Sequence, residues 1–384
     1  MHVLFTFLYN TSLQILSRAG FITREITIPL KLREKKIEYT FLTYGDKSEF
    51  KFSKVLNGIN IIPVFDLINF NSKRINFIKS FLIPIKIRKQ LQSIDIVRTD
   101  QLDGSWIAAI IKLLYRKKLI IRAGYEWLIF HILDHAYSNK RSFLKYWIRF
   151  FKIYFIEFFS YKLADRIVLT NPYNVDFIIK TFKLKKKRHK INVIYNFVNI
   201  NHFRPLSLKK LDKHILFIGR FSKEKNLVNL IKAFKDLEEF SLDIIGKGRE
   251  GLELINLAKK FGISANFLGV VPHNKLPETL NKYEIFILPS YHEGNPKVLL
   301  EAMSCGLACI GTNVWGIRNI IKHNENGILC KTDPDSIKDA ILTLYNDKNL
   351  MKKLGINARN FILKNCSLEA IIEQELLLYK SFSS

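Results

Sequence analysis

Apolar residues along this chain of 384 residues fall into two alternating rhythms. Short runs such as Ile285-Phe286-Ile287-Leu288 are apolar at every position, and longer stretches are apolar at every third or fourth. The first rhythm predicts strands buried on both faces and the second predicts amphipathic helices. Their alternation predicts parallel sheets covered by helices. In the first half the predicted strands are residues 2–8, 38–43, 60–65, 95–98, 119–122, 166–170 and 190–195, with helices over 20–36 and 105–115. A polar, basic stretch at 206–213 reads as a linker. The alternation then restarts, with strands at 214–218, 241–245, 266–268, 285–288 and 308–312. Helices are predicted at 227–238, 251–261, 276–281 and 297–304, from Ile317, and at 367–379 to close the chain. The predicted fold is α/β, two Rossmann-like domains facing each other across a cleft. Residues 1–205 form one domain and 206–366 the other, with 367–384 a helix packing back toward the first.

The boundary between residues 288 and 310 concentrates the candidate chemistry. After the strand 285–288 comes Pro289-Ser290, then His292-Glu293-Gly294-Asn295-Pro296-Lys297, then the apolar spacing of a helix that Gly306 stops. Pro296 suits the first helical position, where its missing N–H costs nothing. A strand, a loop with free backbone amides and a helix N-terminus together suit a phosphate group. Glu301, one turn further on, suits ribose hydroxyls, so the unit predicts a nucleotide-like anion. Earlier, Gly219-Arg220 and Lys225 follow the strand 214–218. Two cations there suit a diphosphate, or else a solvated loop in a Lys-rich chain. Gly246-Lys247-Gly248 is half of a dinucleotide fingerprint or a plain tight turn.

Composition narrows the partners without naming one. The net charge of +27 implies contact with nucleic acid, an anionic membrane or phosphorylated substrates, or reflects AT-rich codons that favour Lys, Ile, Asn and Phe. Residues 142–159 are rich in aromatics, with Lys145, Arg149 and Lys152 on one helical face. That pattern fits a helix lying on a membrane surface or one packed inside the domain. The basic run 183–190 reads as an anion contact or a solvated turn, and Asp333-Pro334-Asp335 reads as a helix cap. Cys305, Cys309, Cys330 and Cys366 lack metal-site spacing and read as small buried residues in a reducing compartment. No signal peptide or transmembrane helix is expected, which points to a cytoplasmic chain, peripheral at most to the inner face of the membrane.

The segment Glu293-Gly-Asn-Pro-Lys-Val-Leu-Leu-Glu301 resembles the E-x7-E signature of the family 4 retaining glycosyltransferases, which have the GT-B fold. Ile218-Gly219-Arg220 with Lys225-Asn226, Asp243-Ile-Ile-Gly246-Lys-Gly248, Phe267-Leu-Gly269 and Asn326-Gly327 resemble that family's other segments, in the same order. In the first half, 164–168 and 194–198 resemble the end of its acceptor domain.

The resemblance implies transfer of a sugar from a nucleotide-diphosphate donor to a saccharide or lipid-linked acceptor in cell-surface polysaccharide assembly, with no cofactor and no metal. Arg220 and Lys225 would stabilise the leaving diphosphate and Glu301 would hold the ribose. Glu293 would touch the donor sugar, and Gly246 and the backbone of Asn295, Pro296, Lys297, Val298 and Leu299 would line the donor site. On the acceptor side Gly20 is what remains of the family's glycine loop, and Arg122, Tyr125 and Glu126 are candidate acceptor contacts or structural residues. There the chain departs from the family pattern, with a reduced glycine loop and no His. The late segment Trp315-Gly316-Ile317-Arg318-Asn319 also lacks the family's Pro and Glu. A GT-B epimerase and a basic nucleic-acid- or membrane-binding protein are the alternatives. No nucleic-acid-recognition motif is present.

Overall fold

The computed structural model describes residues 1–68, 77–124, 126–136 and 143–382. Two parallel sheets carry the chain. The first runs β3-β2-β1-β4-β5-β6-β7, from β1 (His2–Thr6), β2 (Glu38–Thr43), β3 (Asn60–Pro63), β4 (Ile96–Thr99), β5 (Lys118–Ala123), β6 (Arg166–Leu169) and β7 (Ile191–Val193). The second runs β10-β9-β8-β11-β12-β13, from β8 (His214–Ile218), β9 (Ser241–Ile245), β10 (Ala265–Gly269), β11 (Ile285–Leu288), β12 (Ala308–Thr312) and β13 (Ile328–Cys330). In each sheet the strand order reverses once, between β1 and β4 and between β8 and β11. Neighbouring strands at such a point send their connections to opposite sides and leave a crevice at their carboxyl ends.

Burial explains the strand pattern. Ile285, Phe286, Ile287 and Leu288 are each buried, as a strand covered on both faces requires. Each sheet has its own apolar core. The helices at 105–115 and 297–304 match the predicted spans, whereas the helix predicted over 227–238 ends at Ala233 and tightens into a 3-10 turn.

Met1–Ile194 with Gln374–Ser384 form one compact unit and Tyr195–Glu373 the other. Residues 195–205, read from sequence as part of the first domain, sit with the second. The Val198 amide donates to the Cys366 carbonyl at 2.8 Å, and the Ser304 hydroxyl donates to the Phe203 carbonyl at 2.6 Å. The segment 206–213 is no loose linker either. The Leu206 amide donates to Asn281 at 2.7 Å and Lys210 donates to the carbonyls of Asn281 and Tyr283 at 2.7 and 3.2 Å. The sequence marks it as polar, but its polar groups are spent on the backbone of the second unit.

Two buried ionic features hold the first unit. Arg98, on β4, meets Glu375 in a two-pronged ion pair and donates to the Tyr379 hydroxyl at 2.8 Å. The Tyr39 hydroxyl on β2 donates to Tyr379 at 2.9 Å, so the end of the closing helix Leu368–Lys380 is fastened to the sheet. The second feature is Glu157 in the helix Phe143–Leu163, which accepts the Leu128 amide at 3.0 Å and so caps the helix Trp127–Ala136. Burial pushes the Glu157 carboxyl up to about 8.

Glu375→Ala strands a buried guanidinium and is expected to cost on the order of 3–5 kcal/mol in urea unfolding of the first unit. Glu157 holds its proton in the folded chain until about pH 8 and loses it near 4.5 when unfolded. Between those values the folded state binds more protons, so stability falls as pH rises and levels off above the folded pKa. Glu157→Gln keeps the acceptor oxygen and is expected to flatten that fall, by on the order of a few kcal/mol between about pH 5 and pH 8. Urea titrations of both proteins across that range check it.

Candidate functional site

The site is built where β8 and β11 lie side by side. The chain leaves β8 at Ile218, and the Gly219 amide donates to the Ile245 carbonyl of β9 at 2.9 Å. At Gly246 the backbone takes φ of +144°, and a Cβ would stand 1.8 Å from the Gly219 carbonyl oxygen. Gly246 is therefore a close-packing glycine between two loops, the stronger form of the tight-turn reading. Gly248 serves the same contact against Phe221.

Beyond Gly219, Arg220 is 82% exposed, 3.7 Å from Glu224. Burial works to raise the Glu224 pKa, but the Ser222 hydroxyl, its own amide, Lys225 and Arg220 outweigh it and leave the pKa lowered. Asn226 adopts a left-handed conformation, and its amide group donates to the carbonyls of Pro289 at 3.0 Å and Thr332 at 2.8 Å. This fastens the β8 loop to the end of β11, and the Tyr291 amide adds a bond to the Glu224 carbonyl at 2.8 Å.

Those ties set Lys225 against Glu293. Lys225 Nζ lies 2.6 Å from Glu293 Oε1, with the two side chains 14% and 10% exposed. The Ser290 hydroxyl donates to the same oxygen at 2.7 Å. Gly316 closes the loop from the other side, where a Cβ would stand 2.2 Å from the Glu293 carbonyl oxygen. The departure from the family pattern at 315–319 thus keeps the one residue whose lack of a side chain this contact requires.

Asn295, also buried, accepts the Asn196 amide at 3.3 Å through its side chain and the Asn196 side chain at 3.1 Å through its carbonyl. The helix Lys297–Ser304 follows. Pro296 is its N-cap, one place earlier than the sequence suggests. The cap makes no side-chain hydrogen bond and the first turn holds no acid, which leaves a helix N-terminus suited to an anion. Val298 and Leu299 lie in its first turn, and Leu299 points into the core. Glu301, in the second turn and buried, meets His273 at 2.8 Å. Arg220 and Lys225 are thus carried by the loop after β8, Glu293 and Asn295 by the loop after β11 and Glu301 by the helix that follows, beyond the carboxyl ends of the central strands.

The first-unit candidates are more scattered. Gly20 ends the short helix Leu13–Arg18 with φ of +73°, and open space surrounds its Cβ position. Its conformation, and no close approach, explains the glycine. Arg122 lies on β5, 3.4 Å from the Asp100 carbonyl. Tyr125 lies outside the described residues. Glu126 is fully buried with no hydrogen bond of ordinary geometry, and burial pushes its carboxyl up to about 7, with Asn174 offsetting part of the rise. All four cysteines are buried and unbridged, and Asp333 caps the helix Pro334–Asn346 by accepting the Ser336 amide at 2.9 Å.

Sequence reasoning missed His273 and the structural roles of Ser290 and Asn196. His273 stands alone in a polar loop with no periodic signal. Asn196 was visible, but the sequence placed it at the end of the other domain.

Two family models match in tandem: Glycosyltransferase Family 4 over residues 30–202 and Glycosyl transferases group 1 over 199–361. The chain is 28% identical to the N-acetyl-alpha-D-glucosaminyl L-malate synthase of Bacillus anthracis, over 53% of this chain and 56% of that one. It is 29% identical to the UDP-Gal:alpha-D-GlcNAc-diphosphoundecaprenol alpha-1,3-galactosyltransferase of Escherichia coli, over 58% and 62%. The chain therefore spans little more than half the length of these relatives. Its fold superposes on HepE of Anabaena, solved in complex with UDP, with a TM-score of 0.76 over 99% of this chain and 100% of that one, at 15% identity. Tandem matches along the chain and this fold agree with the residues gathered beyond the carboxyl ends of β8 and β11: the chain belongs to the family 4, group 1 glycosyltransferases of the GT-B fold.

Proposed function

We propose that the enzyme transfers a sugar, with retention of configuration and without a metal, from a nucleotide-diphosphate sugar to a lipid-linked saccharide. The observation that carries this reading is the Lys225–Glu293 pair at 2.6 Å, flanked by the exposed Arg220. Lys225 is already oriented by Glu293, and Arg220 is available to a ligand. Together they supply two positive charges, the one on Lys225 held in place, where a diphosphate accumulates negative charge as the glycosidic bond breaks. The open N-terminus of the helix Lys297–Ser304 adds backbone donors for the same group. Glu293 is then placed to accept a donor-sugar hydroxyl, and Glu301 to accept from the ribose in exchange for His273. The E. coli relative's name, with its UDP-galactose donor and diphosphoundecaprenol acceptor, supports the donor and acceptor classes. The UDP in the Anabaena structure makes uracil the first base to test. Assembly of a cell-surface polysaccharide is the setting such an acceptor implies.

The test is a panel of UDP-, GDP- and ADP-sugars assayed in EDTA, with the anomer of the product read by NMR. One donor is expected to turn over in EDTA and to keep its α or β configuration. Arg220→Ala and Lys225→Ala are each expected to lower kcat by about 100- to 1000-fold. Glu301→Gln is expected to act mainly on donor KM, because ribose is held in the ground state as well as the transition state. Full turnover by Lys225→Ala, or dependence on a divalent ion, sinks the reading.

A further inference from the structure

The helix Phe143–Leu163 is apolar on both sides. Its inner face, including Ile153, Ile156, Glu157 and Ser160, is buried against the rest of the first unit. Its outer face presents Leu144, Ile148, Phe151, Phe155 and Phe159, each more than half exposed. A helix covered by its own domain on one side ordinarily turns charged residues to water on the other. The inner face fits the packed reading of the sequence, and the outer face leaves large apolar side chains exposed.

The neighbouring elements extend the patch. Lys152 sits 4.2 Å over the Phe77 ring, and Phe77 packs 5.0 Å from Trp106 of the helix Ser105–Tyr115. Ile78, Phe81, Leu82 and Ile85 beyond Phe77, and Leu113 and Leu114 at the end of that helix, are also exposed. Cations outnumber acids around this surface, and the acids that border it, Asp165, Asp103 and Asp176, each interact with one of its cations, Lys112, Lys152 and Arg188. Residues 77–94, 104–118 and 143–163 hold four Lys or Arg each and a single carboxylate, Glu157, which is buried. The rim continues into the basic run near residue 185, where Lys162 donates to the Lys183 carbonyl at 3.1 Å. No described helix is long and apolar enough to cross a membrane. Exposed aromatic and aliphatic side chains with cations in excess around them match the boundary of an anionic bilayer. There the rings enter the interface and the cations meet head groups.

We propose that this face of the first unit docks on an anionic phospholipid bilayer, with the helix Phe143–Leu163 lying in the interface. The surface is independent of the donor and acceptor assignments, so its test needs neither. The full-length protein is floated with vesicles of phosphatidylcholine alone and of phosphatidylcholine with about one third phosphatidylglycerol. It is expected to float with the anionic vesicles, to stay behind with the neutral ones, and to be released by high salt. The double variant Phe151→Ser/Phe155→Ser and the charge reversal Lys145→Glu/Arg149→Glu are each expected to weaken binding on the order of tenfold. The charge reversal should leave the melting temperature unchanged, since Lys145 and Arg149 are exposed, whereas Phe151 and Phe155 also pack against Trp147, Phe150 and Tyr154. The charge reversal touches no packed ring, so it decides the matter if the serine variant misfolds. Equal flotation with both vesicle types, or anionic binding that survives the charge reversal, overturns the proposal. So does a dimer in sedimentation that the charge reversal splits, because the face is then covered by a second copy.

Discussion

The candidate site depends on one ion pair. Lys225 and Glu293 are 68 residues apart in the chain and 2.6 Å apart in space. They meet because β8 and β11 are neighbours at the point where the strand order reverses. Reversal alone places two loops near one another, but it does not aim their side chains. The aim comes from the left-handed Asn226, whose side chain spans from the β8 loop to the ends of β11 and β13, and from Gly316, which lets a third loop press on Glu293. A lysine held this way loses little conformational freedom when a phosphate arrives. That is the condition under which a fixed charge favours a transition state.

Much of this was legible in the sequence, and what was not has a physical reason. The strands 214–218, 241–245, 285–288 and 308–312 were found residue for residue, because strands buried on both faces read as mostly apolar runs. Glu293 and Glu301 drew attention in the sequence because they flank a helix start and match a family signature, whereas the packing role of Gly316 needed the loop it presses on. His273 was not legible, since a single polar residue in a polar loop leaves no pattern. Nor was Glu157, whose role rests on its carboxylate meeting the start of another helix. The helices 13–18, 127–136 and 173–181 were missed for a related reason. They are short, their apolar positions are set by the sheet they cover, and a short window holds too few turns to show a period.

The two units use charge differently. In the second, polar groups pair at the carboxyl ends of the central strands, where a ligand can compete for them, as Lys225 with Glu293 and Glu301 with His273 show. In the first, the ionisable groups Arg98, Glu126, Glu157 and Glu375 are buried deep. Of these, Arg98 and Glu375 neutralise each other, while burial holds Glu126 and Glu157 toward the protonated form near neutral pH. Charge that is locked inside a core contributes nothing to a surface. The exposed carboxylates of the first unit, such as Glu34, Glu38 and Asp176, lie outside the segments 77–94, 104–118 and 143–163, which present cations and apolar side chains.

That contrast bears on the net charge of +27, which the sequence left divided between function and codon bias. A bias toward Lys-rich codons adds cations everywhere and has no reason to remove acids from particular helices. Carboxylates are nevertheless absent from the exposed faces of three neighbouring segments of the first unit, where the large apolar side chains are also exposed. Bias predicts neither the missing acids nor their coincidence with the rings. A surface selected for an anionic partner predicts both, because one carboxylate on that face repels head groups while each exposed ring costs solubility unless something covers it. The abundance of lysine is therefore compatible with bias, and the distribution of the acids is the part that calls for function.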